Sequence, residues 1–95
     1  MFIDEFIWLP QIIDKLIVKH QVTPEGVEDV FFNRPRFHFH EKGHVQGENM
    51  YTASGQTDGG RYLIVFFIFK SPHKALIISA RDMTRSERKY YERKK

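Results

Sequence analysis

Residues 61–81 read RYLIVFFIFKSPHKALIISAR, and the folding of this stretch decides the architecture of the chain. RYLIVFFIF (61–69) is the most apolar run of the sequence. It is too continuous for the edge of a sheet, which places it as a central strand. KSPHK (70–74) turns the chain. ALIISAR (75–81) is rich in β-branched residues and forms the next strand. Two apolar strands joined by a short turn make an antiparallel pair, and the remaining elements must cover it.

Upstream of the pair, GQTDGG (55–60) carries the glycine and Asx chemistry of a tight turn. ENMYTAS (48–54) is expected as a strand before it. EKGHVQG (41–47) is a hairpin loop. In RFHFH (36–40), Phe37 and Phe39 alternate with His38 and His40, the period of a half-buried strand. Four antiparallel strands result.

Before them the period is helical. Ile12, Ile13, Leu16 and Ile17 make an apolar stripe over residues 10–20, with Pro10 in the first turn, where its missing N–H costs nothing. In VTPEGVEDVFF (22–32), Thr23 is an N-cap, Pro24 takes the first helical position and Glu25 answers the positive helix end. Val22 and Val27 are spaced as a hydrophobic staple. Asn33, Arg34 and Pro35 end this second helix. After the last strand, Thr84-Arg85-Ser86-Glu87 is a capping box that opens a final basic helix. The reading is therefore one α+β domain over residues 1–95: two N-terminal helices, a four-stranded, mainly antiparallel sheet and a C-terminal helix. The helices cover one face. The other stays partly open, edged by the basic helix.

The chain has 95 residues and a net charge of +3, room for one modest core. The charge is uneven. Residues 81–95 hold seven basic and three acidic side chains, so the tail is strongly basic and the body nearly neutral. Such a segment favours a phosphate backbone or an acidic protein partner. With no cysteine there is no disulfide framework and no thiolate metal site. The apolar runs are too short to span a membrane, and the start carries acids where a signal peptide needs bases. A cytoplasmic protein without membrane contact is expected.

Trp8, KH-V (19–22) followed by an acidic helix, GQTDGGRYLIVFF (55–67) and ISARDMTRSERKYYE (78–92) together resemble the BrnT-like toxins, ribonuclease components of bacterial type II toxin–antitoxin pairs. The resemblance covers about Trp8 to Glu92. It implies a compact RelE-like fold, RNA cleavage that inhibits translation and growth, and neutralisation by a DNA-binding antitoxin. A homodimer or a toxin–antitoxin heterotetramer is the expected assembly. Two positions depart from the pattern. Met50 stands where many members carry arginine, and Gln21 where a glycine usually follows the histidine of helix one.

RNA cleavage without a metal needs a base for the 2′-hydroxyl, cations for the pentacoordinate phosphorus and an acid for the departing 5′-oxygen. Arg81 is the leading cation, placed at a strand end beside a helix N-terminus and matched by the resemblance; its bland alternative is an ion pair with Asp82 or Glu87. Arg61 is a second candidate phosphate clamp. His20 is the candidate acid or base, and Glu28 a candidate base or orienting group. Arg85, Arg88 and Lys89 are expected to contact the RNA backbone, with Tyr90 and Tyr91 stacking on bases. Lys94 and Lys95 add a modest, salt-dependent share of binding. His38, His40 and His44 do not read as a metal site, and no cofactor is expected. Two other classes compete: a non-catalytic module that binds a cognate antitoxin, motivated by Met50, and a duplex-DNA binder acting through the basic helix.

Overall fold

The computed structural model describes residues 1–45 and 47–94; Gln46 and Lys95, and the side chain of Lys94, lie outside the described residues. In chain order the elements are β1 (Glu5–Ile7), α1 (Pro10–His20), α2 (Pro24–Phe32), β2 (Arg36–Glu41), β3 (Met50–Gln56), β4 (Tyr62–Lys70), β5 (Lys74–Asp82) and α3 (Arg85–Lys94). The sheet has five strands in the order β1-β5-β4-β3-β2. The expected count of four is corrected by β1, which pairs in parallel with β5 through Glu5–Lys74, Phe6–Ala75 and Ile7–Leu76. All other pairings are antiparallel. The apolar run 62–70 is the middle strand, as its lack of polar positions requires.

The two faces of the sheet are built differently. Leu63, Val65 and Phe67 of β4 are fully buried, with Ala53 of β3 and Ala75, Ile77 and Ala80 of β5. They meet Leu16 of α1 and Val27, Val30 and Phe31 of α2 in one core. Phe31 packs edge-on against Phe67 with ring centroids 5.2 Å apart. Removing the buried Phe67 ring would cost about 3–5 kcal/mol. Gly55 explains how closely α2 lies on β3: a Cβ there would come within 3.1 Å of Val30 Cγ1 and 3.3 Å of the Val30 carbonyl oxygen. Gly55 and Gln56 thus belong to β3, not to the turn.

The helix ends follow their sequence signals. Thr23 Oγ1 accepts from the Gly26 N–H at 3.1 Å, and Val22 and Val27 are both buried as a staple. Gln21 closes α1 in the left-handed region, at φ 52°, the conformation that glycine adopts without strain.

α3 does not join the other two helices. Tyr91, 2% exposed, packs edge-on against Tyr62 at 6.1 Å, and Tyr62 faces away from α1 and α2. α3 therefore lies across one end of the second face. The expectation that all helices share one side is corrected. Among the described residues no helix is long and apolar enough to cross a membrane.

Candidate nucleic-acid interface

Strand register organises the face under α3. Arg36 pairs with Ser54, Ser54 with Ile64, and Ile64 with Arg81, so four strands contribute to one transverse row. The adjacent row runs His38, Thr52, Phe66, Ser79. Alternation along each strand puts these side chains opposite the core. α3 roofs part of this surface and leaves a cleft of about 420 Å³, walled by Arg36, His38, Thr52, Ser54, Ile64, Ser86, Glu87, Tyr90 and Tyr91. The His38 and Tyr90 rings are 6.1 Å apart.

Arg81 reaches the cleft through Glu87. Its Nη1 and Nη2 donate to the two Glu87 oxygens at 2.7 and 3.0 Å, and its guanidinium lies 5.6 Å from the Phe66 ring centroid. Glu87 also accepts from the Thr84 N–H at 2.8 Å and donates its own N–H to Thr84 Oγ1 at 3.2 Å, which completes the capping box. The Arg81 hydrogen bonds are the largest influence holding the Glu87 carboxyl at about 2, below its ordinary 4.5. A carboxylate that acidic is a poor proton acceptor at neutral pH. The same pairing raises the Arg81 guanidinium.

Arg61 lies at the same end of the sheet with different partners. Nε and Nη2 donate to Asp82 at 2.6 and 3.1 Å; Nη1 donates to the Gln21 carbonyl at 2.5 Å and Nη2 to the His20 carbonyl at 2.6 Å. It ties the C-terminus of α1 to the end of β5. Asp82 is pulled below its usual range, chiefly by the Arg61 hydrogen bonds, with a smaller coulombic share from His20.

The four residues first singled out for chemistry are not brought together. Arg81 faces α3. Arg61 and His20 meet at the end of α1, through the His20 backbone. Glu28 accepts a hydrogen bond from Trp8 Nε1 at 3.0 Å, joining α2 to the segment before α1. Of the expected RNA contacts, Tyr90 lines the cleft and is exposed, whereas the expectation that Tyr91 stacks on a base is corrected: it is buried against Tyr62 and holds α3 to the sheet. Arg88 stacks over the Tyr62 ring at 4.0 Å, and Arg85 and Lys89 are exposed on α3. Sequence reasoning weighed His38 only as a metal ligand and passed over Arg36, Thr52 and Ser54. The alternation in RFHFH was the available signal, because a strand that buries Phe37 must present Arg36 and His38 together. Among the described residues no three His, Asp or Glu side chains converge as a metal site.

A concave surface with a guanidinium at each end of a row, an imidazole, hydroxyls and two tyrosines is suited to a phosphate-linked polyanion with aromatic bases. Comparison with known proteins agrees in class. The model of the family described as the ribonuclease toxin BrnT of type II toxin–antitoxin systems matches residues 8–87, and the chain belongs to this family. The fold is also that of the crystal structure of the Brucella abortus ribonuclease toxin BrnT, with a TM-score of 0.62 and 17% identity, over 86% of this chain and all of that one. No curated protein sequence matches.

Proposed function

We propose that the chain cleaves single-stranded RNA on the face beneath α3, without a metal ion, and that this arrests translation and growth until a cognate DNA-binding antitoxin neutralises it. The observation that carries this reading is the cleft itself, where Arg36 and His38 of the sheet face Tyr90 of α3, with Arg81 joined to the cleft through Glu87.

In this reading the cleft takes a nucleoside, with a base against Tyr90. Arg81 and Arg36 hold the adjacent phosphate and oppose the charge that grows on its oxygens as phosphorus becomes pentacoordinate. Arginine suits that task because its fork matches two phosphate oxygens. Glu87 presents the Arg81 fork edge-on and gives way as the phosphate enters. His38, on the cleft wall, stands where it can take the 2′-hydroxyl proton. Lys89 and Arg85 guide the chain electrostatically. Arg61 serves as an internal tie and Glu28 as the partner of Trp8.

The test is incubation of the purified chain with a single-stranded RNA in the presence and absence of a chelator, with end-group analysis of the products. A 2′,3′-cyclic phosphate and a 5′-hydroxyl, formed equally with chelator, are expected. Intact RNA from the folded chain would leave only the non-catalytic module, which an antitoxin would still bind.

A further inference from the structure

His40 is not accounted for by that scheme, and its placement is unusual. The pairing of β2 with β3 slips between Phe39 and Glu41, since Phe39 faces Tyr51 and Glu41 faces Met50. His40 is the extra residue of this bulge. Bulges re-aim a side chain and concentrate near functional surfaces. Here the imidazole is turned onto Phe66, at 5.2 Å and 76° between ring planes. Phe66 is the ring over which Arg81 lies, so His40 and Arg81 abut one phenyl group. Phe66 and His38 are both register partners of Thr52, and Thr52 is 6% exposed. Two imidazoles and a guanidinium therefore surround one short polar floor. His38 beside Thr52 and His40 on Phe66 thus stand at neighbouring register positions of one face.

We infer that His38 and His40 form an acid–base pair for RNA cleavage. The inference rests on the open face being the cleavage site. Neutral His38, inside the cleft, takes the proton of the 2′-hydroxyl. The 2′-oxygen then forms a bond to phosphorus, and the bond from phosphorus to the 5′-oxygen breaks. Protonated His40, on the outer rim, gives its proton to the departing 5′-oxygen. The products are a 2′,3′-cyclic phosphate and a 5′-hydroxyl, and water returns the proton from one ring to the other. No redox partner or metal enters. The charged and titratable groups around the pair are Arg36 and Glu41 on β2, Arg81 on β5, and Glu87 and Tyr90 on α3, with Arg93 over the Tyr90 ring. Glu41 Oε1 approaches His40 Nε2 at 3.6 Å.

The experiment compares two substrates. One is an ordinary dinucleotide, the other a nucleoside 3′-(4-nitrophenyl phosphate), whose leaving group needs no proton. On the dinucleotide, wild type should show a bell-shaped dependence of kcat/KM on pH. His40→Ala and His40→Gln should each lose 100-fold or more and the alkaline limb. On the activated ester both His40 variants should run within a few-fold of wild type, whereas His38→Ala stays impaired on both. Circular dichroism melts confirm folding of each variant. His40 variants equally slow on both substrates, or unchanged on the dinucleotide, would overturn the pair while leaving RNA cleavage intact. A wild type inactive on RNA and on the ester would overturn the cleavage reading itself.

Discussion

Arg61 and Arg81 each grip one carboxylate with two guanidinium nitrogens at the same end of the sheet, yet they are fixed to different things. Arg61 adds two main-chain carbonyls, at His20 and Gln21, to its carboxylate. Its partners include backbone that cannot move without unwinding α1. Arg81 is held by a side chain on α3, by the Asp82 carbonyl at 3.1 Å and by an aromatic ring. A carboxylate on a side chain can be exchanged for a phosphate; a helix terminus cannot. Two arginines that look alike in sequence, each near a glycine turn or a strand end, differ by what they hold, and the proposed function assigns them as tie and ligand on that difference.

The largest expected effect is on chemistry. Arg81→Ala should lower kcat for RNA cleavage about 100-fold or more, with partial recovery in Arg81→Lys and a near-normal thermal melt. A folded variant that cuts at the normal rate would erase the distinction between the two arginines. Arg61→Ala should do the converse. Losing charge-assisted bonds to Asp82 and α1 costs roughly 2 kcal/mol, visible as a lower urea midpoint, while the folded fraction keeps kcat within a few-fold.

Acid separates the pairs further. Glu87 is held at about 2 against an ordinary 4.5. Its folded value is depressed, so its stabilisation is present above about pH 4.5 and disappears as pH falls through about 2. Glu87→Gln should flatten that part of the stability profile and cost about 1 kcal/mol at pH 6, given its partial exposure. Urea titrations at pH 2, 4 and 6 decide this. The smallest effect is a gain. Gln21→Gly relaxes the left-handed residue beneath the Arg61 tie and keeps the carbonyl that Arg61 uses. It should raise stability by about 0.5 kcal/mol, read by calorimetry, with cleavage unchanged.

Much of this was legible in the residues. Thr23, Pro24 and the Val22–Val27 staple marked α2, Thr84 and Glu87 marked α3, and unbroken apolarity placed β4 in the middle. β1 escaped because three residues cannot display a period, and its partner is chosen by register far along the chain. Gly55 was read as turn chemistry, although its missing side chain serves the approach of α2. The site was less legible than the fold. Arg36, His38 and Arg81 converge only through the pairing of β2 with β3, β3 with β4 and β4 with β5. Local sequence shows which face each side chain takes, but not which rows coincide or where α3 lies. The bulge at His40 leaves no mark in RFHFHE.

Lys74 lies 69 positions after Glu5, its partner in the parallel pairing of β1 with β5. During synthesis the first of these emerges several seconds before the second, at ordinary elongation rates of about 5–20 residues per second. Pairing across so long a loop waits on the loop's closure. The strand that carries Arg81 can be completed on both edges only once β5, the last strand of the sheet in chain order, has been made. The order of the strands thus makes β5, and with it the face proposed for cleavage, the last part of the sheet to be assembled.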